Sequence, residues 1–145
     1  MIMAASSDLN SFYPFSQTNP MSDAEKIFET VETYLRAIRT GSEDDFRKAF
    51  YWNAVVLNAD GKNPEDSAEP IEEFMKKVQM RKAEGTKVEE IAHGVTVSQL
   101  AGAANVRVDF ELVIGDKSLW GTDFFNMVKS GEEWKISQKI YAVTH

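Results

Sequence analysis

The chain has 145 residues, enough for one domain with a substantial core of its own. Its 43% apolar share is ordinary for a globular protein, while a formal net charge of −7 repels phosphate backbones and anionic membrane surfaces. Nucleic acid and membrane are therefore not expected partners, and with no cysteine present these residues hold no disulfide, thiolate nucleophile or cysteine-ligated metal.

Residues 1–21 read as a flexible N-terminal tail, rich in Ser, Asn and Pro and without a period. Phe12, Tyr13 and Phe15 are its aromatic exceptions, suited to docking on a surface. Met1–Ser7 shows neither a basic start nor an apolar stretch of secretory length, and no apolar run would span a bilayer. The expected location is the cytoplasm. The domain is expected over residues 22–145.

Ser22 with Glu25 three residues on forms a capping box, the start of a first helix. Ile27, Val31, Leu35 and Ile38 give its buried stripe, with Tyr34 beside them, and Gly41 stops it. Ser42 and Asp45 open a second, short helix whose inner face carries Phe46 and Phe50. Val55–Asn58 reads as a short strand and Asp60–Gly61 as a turn. Pro70 opens a third helix with Ile71, Phe74 and Val78 inside, ending at Gly85. The hydrophobic period then changes from 3.6 to 2, and four long strands are expected over about 87–98, 103–113, 117–129 and 132–143. Short connections make them an antiparallel meander, so the fold class is α+β, with three N-terminal helices packed on one face of a curved antiparallel sheet.

The turns predict the register. A two-residue hairpin at Ser130–Gly131 sets Asp123 opposite Gln138, and another at Gly115–Asp116 sets it opposite Val108. Pairing Val108 with His93 completes a row across four strands: His93, Val108, Asp123, Gln138. The face bearing this row is otherwise apolar and belongs under the helices. The opposite face carries Trp120, Phe124 and Tyr141 among charged residues.

The order helix, helix, strand, helix, four-strand meander resembles the nuclear transport factor 2-like superfamily, a cone-shaped fold also described as cystatin-like. The stretch from Gly121 to Tyr141, with its Asp123–Phe124 strand, its Lys129–Ser130–Gly131 turn and its Trp134–Lys135–Ile136 strand, resembles the putative lumazine-binding branch. The resemblance spans roughly residues 22–143. It implies the fold, and it implies a choice among isomerases, dehydratases, cyclases and binding proteins. It also implies a dimer through the outer sheet face.

Asp123 on an apolar face is the first candidate, either a base poised for proton transfer or a structural acid with donors of its own. His93 reads either as an assisting acid or base or as a histidine with one hydrogen-bond partner. Their backbones would lie roughly 10 Å apart, a gap that a small ligand bridges. Gln138, Tyr34, Phe50 and Trp52 are the expected ligand-binding residues around an apolar cavity; the aromatic ones equally suit plain core. Two histidines, one of them terminal, make no zinc set, and no glycine run cradles a phosphate, so no metal or cofactor is expected. Three functions follow: a domain binding a small apolar or aromatic ligand, a small lyase or isomerase working by proton transfer through Asp123 with His93, or a non-catalytic dimeric module joined through Trp120, Phe124 and Tyr141.

Overall fold

The computed structural model describes residues 21–144. The expected tail, with Phe12, Tyr13 and Phe15, and the terminal His145 lie outside the described residues.

Helix α1 spans Asp23–Thr40 and begins with the capping box, Ser22 and Glu25 satisfying each other's backbone N–H groups. It ends at Gly41, whose left-handed backbone (φ 74°) lets its N–H donate to the Ala37 carbonyl. Helix α2, Glu43–Ala49, is capped by Ser42 and runs straight into strand β1, Phe50–Asn58, which is longer than the short strand expected. A single-turn helix α3 (Pro64–Ser67) and a two-residue strand β2 (Glu69–Pro70), both unanticipated, precede α4, Ile71–Ala83. Strands β3 (Val88–Leu100), β4 (Ala103–Ile114), β5 (Lys117–Ser130) and β6 (Glu133–Val143) form the meander.

The sheet has six strands in the order β2-β1-β6-β5-β4-β3. It is antiparallel except where β1 runs parallel to β6, a pairing the local turns do not foretell. The helices cover one face. Ile27, Val31 and Tyr34 of α1, Phe46 of α2, and Ile71 and Met75 of α4 pack on Val106, Val108, Phe125, Met127 and Ile136 of the sheet. Burying each large aliphatic or aromatic side chain there stabilises the fold by about 1.5–3 kcal/mol. Among the described residues no helix is long and apolar enough to cross a membrane.

Two β-bulges correct the expected register. The β4–β5 pairing is as expected, with Val108 opposite Asp123. On β3, however, Ala92 pairs with Phe110 and Gly94 with Asp109, leaving His93 as the extra residue. On β6, Ile136 pairs with Met127 and Gln138 with Asn126, leaving Ser137 extra; its hydroxyl donates to the Asn126 carbonyl. The last hairpin turns at Gly131–Glu132, with Ser130 opposite Glu133, one residue later than expected. A slip by two positions preserves the faces of a strand; one extra residue exchanges them. Beyond each bulge the two sides therefore swap.

Candidate functional site

The bulges decide which polar side chains enter the core. His93 and Gln138, expected on the inner face, lie on the outer one. His93 is about half exposed, stacks on Trp120 with ring centroids 5.0 Å apart, and meets Glu111 through Nε2 at 3.1 Å. Gln138 accepts a hydrogen bond from Asn126 Nδ2 at 2.8 Å. In exchange Glu90 of β3 and Lys139 of β6 turn inward, as does Tyr141, which was expected on the outer face; Asp123 now pairs with Tyr141 rather than Gln138.

Four polar groups thus meet in the apolar interior. Asp123 is 0% exposed, Lys139 3%, Glu90 7%, and Tyr34 is fully buried. Lys139 Nζ lies 2.9 Å from Asp123 Oδ1, an ion-pair contact aimed away from good hydrogen-bond geometry. The Tyr34 hydroxyl donates to Glu90 Oε1 at 2.6 Å. The Lys139 ammonium also sits among three rings, 4.1 Å from the Tyr141 centroid, 5.1 Å from Phe74 and 5.7 Å from Tyr34. These ring faces offset part of what an ammonium loses on leaving water.

Glu90 Oε2 and both Asp123 oxygens have no hydrogen-bond donor among the described residues. One proton shared between the two buried carboxyls would account for this. Burial, then the charge of Asp123, then the hydrogen bond to Asp123 hold the Glu90 carboxyl well above the usual carboxylate range. A proton on Glu90 donates to Asp123, whose remaining charge faces Lys139. The chain Tyr34, Glu90, Asp123, Lys139 is then neutral overall. Burial foremost, then the charge of Asp123, pushes the Tyr34 phenol well above its ordinary value, so it stays a donor.

A cavity of about 200 Å³ opens between α4 and the inner sheet face and reaches this chain at Tyr34, Glu90 and Lys139. Asp123 lies behind them. Its walls are mainly apolar (Ile38, Phe74, Val78, Phe110 and Leu112), and Glu69, Lys77 and Arg81 stand at its mouth. A glycine makes room for one wall residue: a Cβ at Gly121 would come within 2.7 Å of the Phe110 ring and collide with the Ala142 carbonyl. A wider cleft of about 350 Å³ elsewhere runs along Lys26, Lys48, Glu132 and Trp134; it is a surface feature holding the Lys26–Glu132 ion pair and no buried acid.

Of the aromatic residues expected around the cavity, Tyr34 lines it. Phe50 is buried core against Phe46 and Tyr34. Trp52 lies under the Arg47 guanidinium at 4.1 Å, away from the cavity. Glu90 and Lys139 escaped the sequence reading because alternation alone places them outside. The one available signal was Gly94 inside a strand, a frequent mark of a bulge. Among the described residues no cluster of three or more His, Asp or Glu side chains is arranged to hold a metal ion.

The sequence profile of the family described as putative lumazine-binding matches residues 22–142. No curated protein matches the chain. Among solved structures, an NTF2-like protein of unknown function from Shewanella baltica is similar over 87% of this chain and 99% of its own, at 17% identity and a TM-score of 0.61. A putative scytalone dehydratase from Novosphingobium aromaticivorans is similar over 85% of each chain, at 17% identity and a TM-score of 0.67. A protein of unknown function with a cystatin-like fold from Nostoc punctiforme is similar over 84% of this chain and 91% of its own, at 9% identity and a TM-score of 0.65. At such identities these likenesses speak for the fold, which is nuclear transport factor 2-like, and the match along nearly the whole domain leads to one conclusion: the chain belongs to the family described as putative lumazine-binding.

Proposed function

We propose that this domain binds a small organic molecule in the cavity between α4 and the inner sheet face. One observation carries the reading: an apolar cavity ends on a buried cluster of acid and base side chains instead of closing over plain core. Lys139 keeps donors beyond the one turned to Asp123, so a carbonyl or ring nitrogen of the ligand meets a donor at the cavity floor. The family's description, lumazine binding, supports a ring-bearing ligand. The test is a titration of ring compounds followed by amide NMR. Binding compounds should move the signals of Val78, Leu112 and Tyr141, and Leu112→Trp, which fills the space, should suppress those shifts. Shifts confined to the cleft at Trp134, or unaffected by Leu112→Trp, would sink the reading.

The shared proton favours a second reading, a lyase or isomerase. Glu90, which reaches the cavity, passes the proton between the substrate and Asp123 behind it, and Asp123 serves as the base. His93 takes no part, since it stands on the other face of the sheet. Asp123→Asn, assayed under conditions where circular dichroism shows it folded, should abolish turnover of any substrate found; an unchanged rate would remove Asp123 from the chemistry.

The outer face suits self-association. Trp120 and Phe124 are 39% and 38% exposed there, framed by Arg107, Asp109 and Glu111. We assign this surface to a homodimer, without Tyr141. A reducing cytoplasm suits the cysteine-free sequence.

A further inference from the structure

We infer that the cavity takes a small organic anion of single-ring size, with its anionic group held at the mouth by Arg81 and its ring inside against Phe74, Phe110 and Leu112. The inference rests on the ligand-binding reading above and names the class of ligand.

The charges around the cavity carry it. Lys77 and Arg81 are four residues apart on α4 and stand together at the mouth. Lys77 is paired with Glu69 at 2.7 Å. Arg81 has no ion-pair partner among the described residues. Inside, the Lys139 ammonium is matched by the Asp123 carboxylate, and burial beside Asp123 favours the neutral form of Glu90. Three cations against two anions leave one positive charge at this opening, on a chain whose net charge is −7. The rest of the surface repels anions on balance, so the opening concentrates them locally.

The same matching fixes the orientation. Lys139 already has its counter-charge, so an anion driven to the floor would face Asp123 at close range. An anion left at the mouth finds Arg81, a planar donor suited to a carboxylate, in contact with water. The apolar walls then receive the ring. A space of about 200 Å³ is smaller than the usual range for drug-sized ligands, which limits the insert to about one ring.

The test uses benzoate and benzamide, two one-ring probes of nearly equal shape, titrated into the full chain with NMR detection at Leu112 and Tyr141. Benzoate should bind about fivefold or more tighter than benzamide, the size expected for one partly exposed ion pair. Arg81→Gln should remove that preference and leave benzamide unchanged. Lys82→Gln, a neighbouring cation outside the cavity lining, should leave both as they are. Equal binding of the two probes, or a preference that survives Arg81→Gln, overturns the anion inference while the cavity stands. If neither probe moves the Leu112 and Tyr141 signals, the binding reading falls with it.

Discussion

Removing the buried ammonium by Lys139→Met keeps much of the stem that packs on Tyr141 and deletes the charge. At 2.9 Å the Lys139–Asp123 attraction is worth about 6 kcal/mol with an effective dielectric constant of about 20. Desolvation of the two ions costs several kcal/mol each, so the pair as a whole contributes little net stability. Breaking it is another matter. Lys139→Met leaves Asp123 charged in the interior beside Glu90, and Asp123→Asn leaves Lys139 without its counter-charge; each should cost about 3–5 kcal/mol. The double variant removes both charges and should cost well under the sum, with a coupling of about 2 kcal/mol or more. Urea unfolding at neutral pH gives all four free energies, provided the slope with denaturant is shared. Two results would refute the reasoning. One is single costs below about 1 kcal/mol, the size of a surface pair. The other is a double variant equal to the sum of the singles within about 0.5 kcal/mol, which would mean the two charges do not interact.

Three further outcomes are expected. The folded protein holds a proton on Glu90 above its ordinary value of 4.5, so this contribution is full below that pH and drains away as pH rises, by at most about 1.4 kcal/mol per pH unit. The stability of the wild type relative to Glu90→Gln should therefore fall as pH rises above that ordinary value in urea titrations; a constant or rising difference contradicts the shared proton. Gly121→Ala should lower stability by about 1–3 kcal/mol or more, because its Cβ meets the Phe110 ring and the Ala142 carbonyl, and an unchanged thermal midpoint would count against that packing. Sedimentation at micromolar concentration should show a dimer that Trp120→Ala with Phe124→Ser converts to monomer, whereas a monomeric wild type rules out the outer-face dimer.

Much of this molecule is local physics and was legible in the chain itself. The Ser22–Glu25 box and Gly41 bound α1 because capping chemistry needs only neighbours in sequence. The Gly115–Asp116 turn placed Asp123 opposite Val108, since a two-residue hairpin dictates its own register, and an isolated acid in an apolar alternation marked Asp123 for the interior. Tertiary structure alone decided the rest of the site. A strand's faces follow from its register, and one extra residue at His93 and another at Ser137 reversed them beyond each bulge. That reversal sent His93 and Gln138 outward and brought Glu90, Lys139 and Tyr141 in. Apart from Gly94 beside the β3 bulge, nothing adjacent in sequence distinguishes these residues from their neighbours. The bulge on β6 falls where its pairing with β1 also shifts register, and β1 is a partner far away in the chain. The acid–base chain is consequently a property of the folded sheet, assembled from β3, β5, β6 and α1, whose residues meet only when all four are in place.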